Sequence, residues 1–266
     1  LLALPEAPAG RFLVHELLGR GATATVFRGT DLQDGRPVAI KVAEGPDPRQ
    51  TERIRAEARI LASLDHPAIV TFIADGVVPA GDQWAGRPFI VEEYVYGGSL
   101  AERIRNGAAA AGDVARWAEA ALSGLAHVHA RGLVHRDIKP ENVLIADDGR
   151  IKLGDFGLAR AISTSTSTGA LIGTVAYLSP ELVLGRQADA RSDIYSVGIM
   201  LYEMITGRQP FDGEVPIQVA YQHVHTDVPA PSERVPWLPT EVDELVEALS
   251  ARDPDERPAD AAAALS

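Results

Sequence analysis

Cysteine is absent from all 266 residues, which excludes a disulfide framework and thiolate metal sites and leaves the chain indifferent to redox state. A reducing, cytoplasmic setting is the expected one. Lysine is nearly absent: three of the 25 basic residues are Lys, at Lys41, Lys139 and Lys152, and the rest are Arg. Each surviving Lys is therefore a candidate for a position that needs a compact ammonium in place of a guanidinium fork, and two of the three, Lys41 and Lys139, lie inside motifs. No apolar run approaches the roughly 18 residues of a membrane span, since the longest, from Val197 to Ile205, is interrupted by Glu203. The opening Leu1-Leu2-Ala3-Leu4-Pro5 has no charged n-region and no long apolar core, so it is not read as a secretory signal, and the missing initiator Met is expected of an excised fragment. Positive charge is also scarce. A net charge of -12 with a pI near 5.0 argues against a basic face for phosphate backbones and hence against nucleic acid as a partner.

What is present is a globular composition, 46% hydrophobic and 23% charged, sufficient at this length to bury roughly 70 to 75% of the unfolded surface. Residues 11–95 read mainly as β-rich runs with one helix, and residues 96–266 mainly as helices and long loops. Residues 1–10 read as a tail. The segments Leu17-Leu18 and Val26 to Arg28 flank a Gly-rich turn, and Pro37 to Val42 alternates so that Ala39 and Lys41 share a face. From Arg49 to Leu64 the spacing predicts a helix with Ile54, Glu57, Leu61 and Leu64 on one stripe, which places a carboxylate among apolar residues. Phe89 to Val95 reads as a strand, Gly97-Gly98-Ser99 as a break, and Leu100 to Arg105 and Val114 to Ala130 as helices. Asp193 to Ile205, apolar on nearly every side and stopped by Gly207, reads as a buried helix. Ser163 to Thr168 is a strict Ser/Thr alternation.

Three patterns carry chemistry. The first is Leu18-Gly19-Arg20-Gly21-Ala22-Thr23-Ala24-Thr25-Val26, either a flap over phosphates or a flexible hairpin. Because Thr25-Val26-Phe27 continues it as a strand, a dinucleotide fold, which needs a helix there, is excluded, and with no Gly-Lys pair a Walker A loop is excluded too. The second is Lys41 with Glu57: a carboxylate facing inward needs a cation, and Lys41 is the candidate, against the plainer alternative of a surface salt bridge. The third is His135-Arg136-Asp137-Ile138-Lys139-Pro140-Glu141-Asn142, followed by Asp155-Phe156-Gly157 and Ser179-Pro180-Glu181, an ordered set that matches the protein-kinase signature.

With these motifs the sequence resembles the eukaryotic-type serine/threonine protein kinases, and its Gly-rich loop and the Pro-Ala-Gly insert at 79–81 resemble the bacterial members. The resemblance implies an α+β, bilobal fold, with an ATP-binding N-lobe at 11–95 and a C-lobe at 96–266 holding the catalytic loop, activation loop and substrate site. It implies ATP and Mg²⁺ as cofactors, with Mn²⁺ as an alternative, and Ser/Thr hydroxyls of proteins as acceptors. By the same resemblance Asp137 orients the substrate hydroxyl, Lys139 reaches the transferred phosphate, and Asn142 and Asp155 hold the metal. Lys41 grips the α and β phosphates and Glu57 holds Lys41. The loop from Leu18 to Val26 covers the nucleotide, Val26 and Ala39 sandwich adenine against Leu144, and backbone groups of Glu93 and Val95 bind its edge. His135, Phe156, Leu61 and Phe72 form an apolar spine anchored by Asp193, and Glu181 and Arg257 a buried ion pair. Arg136 pairs with a phosphate on the activation loop, with Thr166 and Thr168 as the autophosphorylated positions, modified in trans through self-association, and Thr174 as a contact to Asp137 and Lys139.

Departures from the family pattern are Ala24 for the third glycine, Ser179 for the usual Ala, and Glu92 at the gatekeeper position, where an apolar residue or Thr is usual. Glu92 is expected to face the pocket beside Lys41 and Glu57; the alternative is that it turns to water. A pseudokinase scaffold is the competing class, disfavoured by the presence of Asp137, Asp155 and Lys41. A small-molecule phosphotransferase is disfavoured by Ser179-Pro180-Glu181 and Gly173-Thr174. The paired histidines, His127 with His129 and His223 with His225, lack a carboxylate cluster and are not expected to bind metal.

Overall fold

In the computed structural model, which describes residues 10–21, 24–45, 48–80, 84–107, 109–156 and 175–266, the alternating segments become strands. β1 (Phe12–Arg20), β2 (Ala24–Asp31), β3 (Pro37–Ala43), β4 (Phe72–Val77) and β5 (Pro88–Glu93) form one antiparallel sheet in the order β1-β2-β3-β5-β4. In β3 the two-residue period sends Val38, Ile40 and Val42 into a core with Phe12, Phe27, Trp84 and Phe89, while Ala39 and Lys41 take the opposite face. Edge-on aromatic pairs, Phe27 with Trp84 at 5.3 Å and Phe12 with Phe89 at 6.4 Å, fill that core. Helix α1 (Pro48–Leu61) packs on β3, β4 and β5 through its stripe of Ile54, Glu57 and Leu61. The helix ends at Leu61, three residues short of the expected Leu64, which is nevertheless buried. These elements belong to the first of two compact units, Leu1–Val95 and Tyr96–Ser266.

The second unit is mainly helical, with α2 (Leu100–Arg105), α3 (Ala111–His129), α4 (Pro180–Val183), α5 (Ala190–Thr206), α6 (Pro216–His225), α7 (Thr240–Leu249) and α8 (Ala261–Ala264), and a two-stranded hairpin of β6 (Val143–Ile145) and β7 (Ile151–Leu153). Ser99 starts α2 with a capping box: its hydroxyl accepts from the Glu102 amide while the Glu102 carboxylate accepts from the Ser99 amide. Gly97 precedes it because a Cβ there would clash with the Ile145 carbonyl. Asp189 caps the start of α5, and Gly207, at φ 72°, ends it in the left-handed conformation. Between those caps α5 is buried on nearly every side, so it is the axis on which α3, α7 and α8 pack. Among the described residues no helix is long and apolar enough to cross a membrane.

Candidate active site

In the second unit the site is built outward from α5. The Asp193 carboxylate, 1% exposed, accepts the backbone amide of His135 at 2.7 Å and that of Arg136 at 2.8 Å. Arg136 has φ 67°, in the region that L residues other than Gly seldom occupy. Such a conformation costs about 1–3 kcal/mol, and the buried carboxylate is what holds it. The His135 ring fixes the same turn from its other side, stacking on Phe156 with centroids 4.4 Å apart and lying 3.2 Å from the Gly154 carbonyl. Burial pushes the His135 imidazole below its ordinary pKa, against the opposing charges of Asp193 and Asp137. A neutral, packed imidazole is a structural element and not an acid or base.

Asp137 follows directly. Its Oδ2 accepts from Lys139 Nζ at 2.9 Å and from Asn142 Nδ2 at 2.9 Å, and Asn142 Nδ2 also reaches the Asp137 carbonyl at 2.8 Å. With the Asn142 amide N–H groups committed to Asp137, its Oδ1 is the atom chemically suited to a cation. The β6–β7 hairpin pairs Val143 with Leu153, and the Gly154 amide donates to the Asn142 carbonyl at 2.9 Å. Asp155, exposed and at φ 49°, follows directly after the Gly154 that makes this bond. Leu144 sits on β6, bridged to Ser99.

In the first unit, Lys41 Nζ lies 2.8 Å from Glu57 Oε1, with side chains 15% and 5% exposed. Cross-strand register puts Val26 opposite Lys41, Arg28 opposite Ala39, Ala39 opposite Glu92 and Lys41 opposite Ile90. Opposed residues share a face, so Val26, Ala39, Lys41 and Glu92 lie on one side of the sheet. Glu92 is half-buried, with its Oε1 out of contact with solvent. At the Gly-rich turn Gly19 opposes Val26 and Arg20 opposes Thr25, and the Gly21 amide donates to the Ala24 carbonyl. Arg20 Nε donates to Glu44 at 2.8 Å, and the Thr25 hydroxyl also donates to Glu44. Leu18 is exposed at the end of β1. The Glu93 amide donates to the Thr71 carbonyl at 2.9 Å, and its carboxylate accepts from the Thr71 amide and hydroxyl, both at 2.7 Å; Val95 is half-buried two residues on. Leu61 is buried and Phe72 half-buried. Ala22, Thr23, Gly157, Thr166, Thr168, Gly173 and Thr174 lie outside the described residues.

The Glu181–Arg257 pair is bidentate at 2.9 and 3.0 Å, and Ser192 Oγ adds a third bond to Glu181 at 2.6 Å. Arg257 spends its remaining N–H groups on the carbonyls of Ala251, Arg191 and Arg252, so its donors are all used, and its guanidinium lies 4.9 Å over the Tyr195 ring. Burial alone would raise the Glu181 carboxyl; the hydrogen bonds from Arg257 and Ser192 and the Arg257 charge outweigh it and hold the carboxyl at about 2.

Several polar residues of this unit had no assignment from sequence. His129 Nε2 lies 3.0 Å from Asp193 Oδ2. Tyr177 donates to Glu203, whose carboxyl is raised by burial against that hydrogen bond, and Gln209 donates to the Tyr177 hydroxyl at 3.2 Å. His223 Nδ1 lies 2.7 Å from the Tyr195 hydroxyl, and burial pushes its imidazole down to about 4. The only available signal was indirect: His129, Glu203 and His223 are polar residues within amphipathic or buried helices, and such residues need partners, whereas Tyr177 and Gln209 lie outside the helices. Among the described residues no cluster of three or more His, Asp or Glu is arranged to hold a metal ion.

A model of the protein kinase domain family matches residues 12–266, and the chain belongs to that family, with its α+β fold. Among its relatives is the serine/threonine-protein kinase PknL of Mycobacterium tuberculosis, 44% identical over 259 residues that cover 95% of this chain and 63% of PknL. The probable serine/threonine-protein kinase pknA2 of Bifidobacterium longum is 42% identical over 264 residues, covering 96% of this chain and 34% of that protein. The serine/threonine-protein kinase PknB of Mycolicibacterium smegmatis is 39% identical over 264 residues, 96% of this chain and 42% of PknB. The chain thus spans less than two thirds of the length of these relatives.

Proposed function

We propose that this chain is the catalytic domain of an active serine/threonine protein kinase, which transfers the γ-phosphoryl group of ATP to Ser and Thr hydroxyls of proteins. The observation that carries the reading is the Asp137 carboxylate, oriented by Lys139 and Asn142 in a loop whose strained backbone is clamped by Asp193. In phosphoryl transfer the protein's work is positioning and charge stabilisation, and this arrangement provides both. Asp137 aims the acceptor hydroxyl and receives its proton. Lys139, already bonded to Asp137, brings an ammonium to where charge gathers on the transferred phosphoryl.

Asn142 Oδ1 and the Asp155 carboxylate are hard oxygen donors and fit Mg²⁺, with Mn²⁺ as a substitute. When bound, that ion neutralises phosphate oxygens. In the N-terminal domain, residues 11–95, Lys41 binds the α and β phosphates and Glu57 fixes its ammonium. The face carrying Val26 and Ala39, the Leu18 to Val26 loop, Leu144 from the C-terminal domain at 96–266, and the Glu93 and Val95 backbone serve the adenine. Arg136, exposed beside Asp137, pairs with phosphates on Thr166 and Thr168, added in trans by a second copy. The test is incubation with radiolabelled ATP, Mg²⁺ and casein. Label on Ser or Thr of casein supports the reading; nucleotide binding with no transfer supports a pseudokinase scaffold.

A further inference from the structure

Three polar side chains close on one another behind the Gly-rich turn. Arg20, the last residue of β1, opposes Thr25 on β2, and Thr25 opposes Val42 on β3. Opposed residues share a face, so Arg20 and Thr25 lie on the side of the sheet occupied by Val42, away from Val26, Ala39 and Lys41. Glu44, the residue after the end of β3, completes the cluster. Its Oε1 accepts from Arg20 Nε at 2.8 Å and from the Thr25 hydroxyl, and Arg20 Nε also donates to that hydroxyl at 3.3 Å. Thr25 is 1% exposed. A hydroxyl so buried needs a partner, and a carboxylate partner makes the bond a charge-assisted one.

We infer that Glu44 is a positioning residue for nucleotide binding: through Arg20 and Thr25 it braces both limbs of the Gly-rich turn against the strand that carries Lys41. The inference rests on the kinase reading above, in which the Leu18 to Val26 loop covers the nucleotide and Lys41 meets its phosphates. Glu44 follows Lys41 by three residues on the same strand end, so the loop and the ammonium are held as one body before nucleotide arrives. Preorganisation of this kind lowers the ordering cost of binding. Without the carboxylate, the Thr25 hydroxyl and the Arg20 guanidinium lose their common acceptor, the limbs are released from β3, and the nucleotide itself must order the loop. No member of the cluster is among the groups assigned to the acceptor hydroxyl. The expected signature is therefore a higher KM for MgATP with kcat at saturation nearly kept.

Three substitutions in the full chain separate this role from that of a surface ion pair without functional weight. Glu44→Leu keeps similar bulk and accepts no hydrogen bond, Glu44→Gln keeps an oxygen at the same reach, and Thr25→Val keeps the shape of Thr without its hydroxyl. By calorimetry Glu44→Leu should bind MgATP at least about fivefold more weakly than wild type, and Glu44→Gln less than about fivefold. Adding Thr25→Val to Glu44→Leu should cost less than about twofold more, because the hydroxyl has already lost its acceptor. With casein as substrate, Glu44→Leu should keep kcat within about threefold while KM for MgATP rises. The Gly21 amide donates to the Ala24 carbonyl at 2.8 Å between the two braced limbs. In nucleotide-free protein its exchange, followed by NMR, should be at least about threefold faster in Glu44→Leu. A smaller loss of affinity in Glu44→Leu, a loss of about fivefold or more in Glu44→Gln, a further cost of about twofold or more from Thr25→Val, a kcat loss beyond about threefold, or Gly21 exchange less than about threefold faster would overturn the inference. If wild type binds no MgATP, the kinase reading fails by itself, and the exchange result still decides whether Glu44 braces the turn.

Discussion

Removing the Arg257 guanidinium leaves the Glu181 carboxylate, 8% exposed at its side chain, with Ser192 as its remaining side-chain hydrogen-bond donor, and strips three backbone carbonyls of their donor. Breaking a buried ion pair on one side costs about 3–5 kcal/mol. Against a total stability of about 5–15 kcal/mol, that is a large share, and at about 2–4 °C per kcal/mol for a chain of this size Arg257→Ala should lower Tm by about 6–20 °C. The double variant Glu181→Met with Arg257→Met should recover at least about half of the loss, because no charge is then left buried. The pH dependence has a definite sign. Glu181 titrates at about 2 in the folded chain, below its ordinary 4.5, so its contribution is fully present above about pH 4.5 and is lost as pH falls toward 2. The gap between wild type and Arg257→Ala should accordingly narrow over that interval. Thermal unfolding followed by circular dichroism at pH 7 and pH 3.5 measures both effects. A Tm drop below about 2 °C at pH 7, or a double variant worse than Arg257→Ala, would refute the reasoning.

Lys41→Met should abolish phosphoryl transfer, and Glu57→Gln should raise KM for MgATP by disordering the Lys41 ammonium; steady-state kinetics with casein read both. Incubation with MgATP should place phosphate on Thr166 and Thr168, and an active enzyme that mass spectrometry finds unmodified from Ser163 to Thr168 would rule out the proposed role of Arg136. Glu92 shares the sheet face of Ala39 and Lys41, so Glu92→Met should strengthen hydrophobic ATP-competitive inhibitors at least about tenfold, or about 1.4 kcal/mol. ATP affinity should change little. Equal inhibitor affinities by calorimetry would show that the Glu92 carboxylate does not face bound ligand.

The parts of the fold legible in sequence are those where one local pattern dominates. β3 alternates cleanly and is buried on one face, α2 follows directly on the Gly97-Gly98-Ser99 break, and Gly207 stops α5 where the left-handed conformation is needed. The Lys41–Glu57 contact follows from a carboxylate in an apolar stripe that must have a cation. β4 escaped sequence reading because its burial shows no two-residue period, its pairing slips between Phe72 and Ala74, and it contains Asp75 and Gly76, which are poor strand formers. His129 was not legible as a link, because its partners Asp193 and Ala261 lie 64 and 132 positions away. Similarly, Ser192 and the three carbonyls around Arg257 are gathered by the packing of α5 against the chain's end, which no local spacing encodes.

Phosphoryl transfer by this chain turns on the Asp137 carboxylate, and Asp137→Asn tests that role most directly, since the amide keeps the shape, and can keep a hydrogen bond to Lys139 or Asn142, while losing the negative charge and the proton acceptor. Measured together, turnover with casein should fall at least about 10²-fold, in keeping with the usual worth of a general base, while MgATP affinity by calorimetry stays within about threefold. An Asp137→Asn enzyme retaining more than about a tenth of wild-type turnover would contradict the assignment.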